Sequence, residues 1–223
     1  MENNHTSELP EMMLIDKPSG ITSFDVIRRL RKKHGKIKMG HAGTLDPLAT
    51  GLMIIGVGQG TKKLNDYLKL PKVYIAEILL GVSTDTGDTD GNIVTETAVH
   101  DVDSKKVEQV VGDIVGTHEF QAPLYSALKV DGKPLYKYAR AGQAPPRIPT
   151  KTMTVHSAQV LDQFDRGNGR YVVRVRFDVA SGTYIRTLAE EIGRQLGVPA
   201  TLRYLRRTSI GEFKIDDAIS LDE

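Results

Sequence analysis

The chain has 223 residues, 39% of them hydrophobic and 26% charged, with a formal net charge of +2, a composition that describes a soluble globular protein able to bury a sizeable core in one large domain or two small ones. It contains no cysteine, which excludes a disulfide framework, a thiolate metal site and a thiol nucleophile and fits a reducing compartment. The opening "MENNHTSELPEM" has no apolar h-region and no run of about 18 apolar residues occurs later, so neither a signal peptide nor a spanning helix is expected and the cytoplasm is the expected location.

In chain order, residues 1–12 are expected to be a flexible tail, and "EMMLIDKPSG" predicts a strand running into a Pro/Gly turn. Thr22 or Ser23 then caps a helix through about Lys33, with Phe24, Ile27 and Leu30 on its apolar face and a basic side exposed. From Val26 to Leu45 there are seven Lys or Arg residues, together with His34 and His41, and no acid; the next acid is Asp46, in the Gly-rich loop "GHAGTLDPLAT". "YIAEILLG" (74–81) and "RYVVRVRFDV" (170–179) are strand-like, the second placing Val173, Val175 and Phe177 on a buried face against Val172, Arg174 and Arg176. "AGQAPPRIPT" is a Pro-rich connector. "TYIRTLAEEIGRQLG" (183–197) predicts a helix with Leu188, Ile192 and Leu196 at four-residue spacing and Gly197 as its C-terminal cap. There is no repeat and no regular βαβ alternation, so the fold class is α+β.

Asp46 is the residue whose setting asks for chemistry. A carboxylate among cations is held ionised, and an ionised carboxylate serves as a nucleophile or base rather than as a general acid. The structural alternative is that Asp46 only starts a turn, since Asp before Pro is a turn-initiating pair. Other candidate motifs fall away on inspection. "TDTGDTDG" (84–91) resembles a calcium loop, but its register puts Thr86 first and Thr97 last, where Asp and a bidentate Glu are needed; it reads as an acidic turn between strands. "GVGQG" lacks both a P-loop lysine pattern and a full dinucleotide fingerprint, and His100, His118 and His156 have no ligand spacing. No metal site is expected.

Five segments, "DKPSGITS" (16–23), "GHAGTLDPLATGLMIIGVGQGTK" (40–62), "QAPLYSALKVDGKPLYKYARAG" (121–142), "SGTYIRTLAEEIG" (181–193) and "LRRTSIGEF" (205–213), resemble in order the successive motifs of TruB-type tRNA pseudouridine synthases. The resemblance implies a pseudouridine synthase fold, a mixed and mostly antiparallel central sheet with flanking helices and an RNA-binding cleft, over residues 13–223. It implies an isomerase that converts a uridine in the T arm of tRNA, position 55, to pseudouridine by detaching the base and rejoining it through carbon, without a cofactor. A monomer acting on the T-arm stem-loop, with no membrane partner, is expected.

Residue by residue, the resemblance makes Asp46 the nucleophile, attacking either C1′ of the ribose or C6 of the base. Tyr74 matches the tyrosine that stacks on the flipped base, and flipping is required because a stacked base is out of reach. Tyr184 matches a residue that lines the uracil pocket or acts as base, and Arg186 one that forms an ion pair with Asp46. His41 matches a histidine that helps displace the nucleotide, and Leu205 a leucine of the substrate pocket. Lys17 reads as a support for the Asp46 loop. Phosphate contacts are expected from the 28–38 segment, from Arg174 and Arg176, and from Arg203, Arg206 and Arg207. The chain departs from the family pattern at Leu124, Val179 and Ala180, and it ends at Glu223 where most bacterial members continue into a small RNA-binding (PUA) domain. Two other readings remain beside this one: an inactive RNA-binding or RNA-folding module on the same scaffold, and a glycoside hydrolase pairing Asp46 with Asp85 or Asp90.

Overall fold

Strict alternation in "MMLIDK" turns Met13, Ile15 and Lys17 inward and makes this segment the first strand of the computed structural model, in which residues 9–221 are described. Residues 1–8 of the expected tail lie outside the described residues; further along, the Glu11 carbonyl accepts from the Val57 amide at 2.8 Å and Met12 already belongs to the sheet. Of the described residues, those up to Leu70 and from Arg207 onward make one compact unit, and Pro71–Arg206 make another.

The first unit opens with β1 (Met12–Lys17), α1 (Ser23–His34), β2 (Met39–His41), β3 (Thr50–Val57) and α2 (Leu64–Lys69). Thr22 caps α1 through a capping box: its hydroxyl accepts from the Asp25 amide at 3.1 Å, and the Asp25 carboxylate accepts from the Thr22 amide at 2.8 Å. The buried stripe of the helix is Ser23, Val26, Ile27 and Leu30, the i, i+3, i+4, i+7 pattern. Phe24, expected on that stripe, is 56% exposed. One residue past Ser23 on a 3.6-residue turn, it is rotated by about 100° from the buried side. β1 lies antiparallel to β3 with Lys17 opposite Gly51, which brings the last residue of one strand to the first turn of the other.

The second unit contains β4 (Lys72–Leu80), β5 (Val82–Thr84), β6 (Ile93–Glu96), α3 (Ser104–Asp113), β7 (Gly116–Gln121), β8 (Lys129–Val130), β9 (Lys133–Pro134), α4 (Leu135–Arg140), β10 (Thr150–Gly167), β11 (Arg170–Val179) and α5 (Ile185–Leu196). Then β12 (Ala200–Ile210) carries the chain back, and β13 (Phe213–Lys214) and β14 (Ile219–Ser220) complete the first unit. Strand order in the first unit is β14, β1, β3 and the end of β12, with β2 beside β3 and β13 beside β12; in the second it is the start of β12, then β4, β11, β10 and β7. The β1–β14 pair is parallel, whereas β1–β3, β4–β11, β10–β11 and β7–β10 are antiparallel. The class is α+β with a mixed, mostly antiparallel sheet.

On β11, Val173, Val175 and Phe177 are buried as expected, but so is Val172. Arg174 is satisfied within the unit: the Glu77 carboxylate, 6% exposed as a residue, takes bonds from Arg174 at 2.5 Å and from Arg203. Both arginines thus share one structural ion-pair network around Glu77 while their side chains stay 42% and 34% exposed. α5 starts one residue later than Tyr184, which occupies the N-cap position, and ends on Gly197 in the left-handed conformation with φ of 80°.

Candidate active site

The loop between β2 and β3 holds Asp46, and its backbone is gripped from both sides. Before Asp46, the Ser23 hydroxyl donates to the Leu45 carbonyl at 3.0 Å and accepts from the Leu45 amide at 2.8 Å. After it, the Lys17 ammonium donates to the carbonyls of Pro47 at 3.3 Å and Ala49 at 2.7 Å, and also to Pro18 at 2.9 Å. The Gly20 amide reaches Pro47 at 2.9 Å and the Ser19 hydroxyl reaches Leu48 at 3.0 Å. Lys17 is completely buried. An ammonium in that position is stable only when its donors are satisfied, and three loop carbonyls do this. Asp46 itself stays half-buried while the backbone around it is fixed.

Arg207 forms the floor of the same loop. It was expected to meet phosphate, and the structure corrects this: the side chain is 1% exposed and donates to the Leu52 carbonyl at 2.7 Å and the Gly43 carbonyl at 3.2 Å. The planar fork of a guanidinium reaches both carbonyls from one side chain. Its approach depends on Gly51, where φ is +107° and an added Cβ would lie 2.3 Å from the Arg207 carbonyl oxygen. His41, on β2 two residues before Gly43, feels this cation. Burial first, then the Arg207 charge, push the imidazole below its ordinary pKa, against a hydrogen bond with the Gly43 backbone that raises it. His41 is thus held towards its neutral form.

In the second unit, Arg186 on the first turn of α5 is 4% exposed and fully engaged. It donates to the Thr86 carbonyl at 2.6 Å and the Tyr125 carbonyl at 2.9 Å, and its Nε stands 3.8 Å from Asp88 Oδ2. The segment 84–91 is a turn between β5 and β6, as expected, yet one of its acids has a definite task. Asp88, 6% exposed, accepts from the Thr86 hydroxyl at 2.6 Å and faces Arg186. Sequence reasoning missed it because the segment looks like solvated acid. Its one signal is an acid set between glycines, where the chain turns tightly enough to point a carboxylate inward.

Tyr184 lies under Lys151, whose ammonium is 5.1 Å from the ring centroid, within the range of a cation–π contact. Burial lowers the Lys151 pKa. The approach uses Gly182, where a Cβ would come within 2.6 Å of the Lys151 Nζ. Lys151 was not singled out from the sequence, and no local pattern marks it. Tyr74 is on β4 opposite Phe177 and is 8% exposed, and Leu205 on β12 is 6% exposed. The structure therefore places His41 at the end of β2 and Asp46 on the loop that follows it in the first unit, and Tyr74, Tyr184, Arg186 and Leu205 on β4, α5 with its N-cap, and β12 of the second.

The sequence pattern of the TruB family pseudouridylate synthase (N terminal domain) matches residues 29–185, and that of the tRNA pseudouridylate synthase B C-terminal domain matches residues 186–223. Proteins named tRNA pseudouridine synthase B are similar over nearly all of this chain: one from Aromatoleum aromaticum is 42% identical, with 94% of this chain and 66% of the relative covered, and one from Bacillus cereus is 43% identical, with 95% and 69% covered. Among solved structures, a chain of a Cbf5–Nop10–Gar1 complex superposes with a TM-score of 0.73 at 30% identity, covering 95% of this chain and 52% of that one. A chain of an H/ACA RNP bound to a substrate RNA containing 2′-deoxyuridine gives 0.69 at 28% identity, covering 95% and 51%. The chain spans about two thirds of the length of these curated relatives and about half of these solved chains. With matching patterns from residue 29 to residue 223, this chain belongs to the TruB family of pseudouridylate synthases.

Proposed function

We propose that this protein isomerises uridine to pseudouridine in the T arm of tRNA, at position 55, with Asp46 as the nucleophile. The observation that carries the reading is the clamp on the Asp46 loop: Ser23, Lys17 and Arg207 bind the backbone of Leu45, Pro47, Ala49 and Gly43, while Asp46 as a residue is half-buried. A loop that served only as a turn would not require a buried lysine and a buried arginine. Fixing the backbone on both sides of a reacting group holds it in attack geometry before substrate arrives, which is where orientation lowers a barrier.

The reaction conserves every atom. The C1′–N1 bond breaks, the base turns within its pocket, and a C1′–C5 bond forms; C5 gives up its proton and N1 gains one. Asp46 attacks the nucleotide, Tyr74 stacks on the flipped base, Leu205 packs the apolar side of its pocket, and Tyr184 lines that pocket or takes the C5 proton. His41, held towards neutrality, assists in displacing the nucleotide without adding a second positive charge to the loop. Curated relatives named tRNA pseudouridine synthase B support tRNA as the substrate.

The test is a T-arm stem-loop with a single uridine at the target position, incubated with the pure protein and probed for pseudouridine by chemical labelling. Product from the parent protein and none from Asp46→Asn, with RNA binding retained, is the expected result, since the amide is nearly isosteric but carries no nucleophilic charge. Binding without product from the parent protein would favour the inactive RNA-folding module instead, and turnover by Asp46→Asn would remove Asp46 from the role.

A further inference from the structure

The residue that the sequence misplaces on α1 points to a binding surface. Phe24, Arg28 and Lys32 are spaced four residues apart and all three are exposed, so they form a single ridge along the helix, on the side away from Val26, Ile27 and Leu30. From Phe24 to Lys32 the ridge runs eight helical steps, about 12 Å at the helical rise. Arg28 and Lys32 line a groove of about 760 Å³ with Arg31, Lys36, Ile37 and Lys38: five cations and no acid.

Two features separate this groove from an ordinary solvated basic face. First, it is built. Arg31 donates to the carbonyls of Ile37 at 3.1 Å and Met39 at 3.3 Å, which folds the 35–39 segment back so that Lys36 and Lys38 face the helix. Basic residues in a last helical turn are explained by the macrodipole, but Lys36 and Lys38 lie outside the helix and have no such reason to converge on it. The side chains of Lys32, Lys36 and Lys38 have neither an ion pair nor a hydrogen bond among the described residues, whereas Arg28 pairs with Asp25. Converging unpaired cations repel one another, and an anion relieves that repulsion. Second, the ridge starts with an aromatic ring: Phe24 is 56% exposed, with the Arg28 guanidinium 6.0 Å from its centroid. A cationic groove headed by an exposed ring suits phosphates and a base together.

We propose that the Phe24–Arg28–Lys32 ridge with Lys36 and Lys38 is a binding groove for the phosphodiester backbone of the substrate RNA, with Phe24 stacking on an unpaired base. Its position ties binding to chemistry. Ser23, one residue before Phe24, holds the Leu45 backbone next to Asp46, so RNA seated on α1 sits at a fixed offset from the nucleophile's loop. The inference rests on the proposed RNA substrate.

The experiment measures affinity of the whole chain for the T-arm stem-loop across a salt series, for the parent, for the triple variant Lys32→Ala/Lys36→Ala/Lys38→Ala, for Phe24→Ala, and for a control, Lys105→Ala/Lys106→Ala on α3. Each lost phosphate contact reduces the log–log salt slope by about 0.7 to 0.9, so the triple variant should flatten it by about 2 to 3 and weaken binding at low salt by at least about tenfold. Phe24→Ala should weaken binding with the slope unchanged, and the α3 control should match the parent. The single-turnover rate at saturating RNA should stay within about twofold of the parent in the α3 control, which lies outside the groove. An unchanged slope in the triple variant overturns the groove; an unchanged affinity in Phe24→Ala overturns the stacking contact. Anionic phospholipid vesicles that bind the parent but not the triple variant, with RNA affinity equal in both, would assign the surface to lipid and overturn the proposal. Failure of the proposed function reads differently: a parent that makes no pseudouridine while the triple variant still loses RNA affinity and slope leaves the groove standing.

Discussion

The hydroxyl of Ser23 and the backbone of Leu45 are bonded in both directions, the oxygen donating to the carbonyl at 3.0 Å and accepting from the amide at 2.8 Å. Ser23 is 2% exposed, so neither backbone group has water to turn to if the hydroxyl is removed. The pair joins the first residue of α1 to the residue before Asp46.

Ser23→Ala should therefore cost stability and activity together. Leaving a buried donor or acceptor unmet costs about 1 to 3 kcal/mol, and the released loop no longer holds Asp46 in place. A urea melt should show the loss, and the single-turnover rate should fall at least about tenfold even at temperatures where the variant is fully folded. A variant with the parent's rate would show that this bond only supports the fold.

Lys17→Met should be more severe, because three loop carbonyls lose their donor and a thioether cannot replace it. Destabilisation of about 3 kcal/mol or more is expected, and Lys17→Arg should fail to rescue it, since a planar guanidinium does not fit a fully buried ammonium site. Thermal melts of the two variants decide this. A parent-like melting temperature for Lys17→Met would mean that the loop finds other donors.

Arg186 gives the reverse balance. It is held by two carbonyls and by Asp88, so Arg186→Lys keeps a charge but loses the fork that reaches both carbonyls. Asp88→Asn removes the nearby carboxylate charge and keeps the shape. Both variants should lower the single-turnover rate by more than tenfold, an effect of about 1.4 kcal/mol or more on the barrier, with a smaller change in melting temperature. Equal losses in the two assays would assign Arg186 and Asp88 to architecture alone.

The pH dependence of stability should carry the mark of His41. Its pKa in the folded state is lowered by burial and by Arg207 from an unfolded value of 6.5. Above pH 6.5 both states hold neutral imidazole and the folded state bears no penalty. As the pH falls through 6.5 the unfolded state takes up the proton first, so stability drops, by at most about 1.4 kcal/mol per pH unit for one proton, until the folded pKa is passed. Urea midpoints measured from pH 7.5 downward should fall in the parent and fall less in His41→Gln. Parallel curves for the two proteins would show that the imidazole is not held neutral.

What was legible in the sequence was local. Thr22 or Ser23 before an apolar run marks a helix start, which the structure assigns to Thr22, Gly197 after a periodic apolar run specifies a helix end, and the ordered motifs led to the family. Where the reading went astray, a local rule met a non-local partner. Phe24 fits an apolar stripe by residue type, but the stripe that packs is centred one residue away, through Ser23 and Val26. Arg174 and Arg203 read as an unpaired basic surface, and the structure adds Glu77 between them while both stay partly exposed.

The sequence by itself determined the helix end at Gly197, the inward face of Val173, Val175 and Phe177, the α+β class and the identity of the loop that carries Asp46, because each of these is written in residues within a few positions of one another. Only the tertiary structure decided what holds that loop: Lys17 reaches Ala49 across 32 positions, Ser23 reaches Leu45 across 22, and Arg207 reaches Leu52 and Gly43 across 155 and 164. It likewise turned Arg207 from a surface cation into a buried support and Asp88 from solvated acid into a partner of Arg186. A charged side chain reads the same in sequence whether it faces water or a carbonyl. The choice is made by the cost of desolvation against the bonds available at the folded site, and those bonds exist only once distant strands are paired.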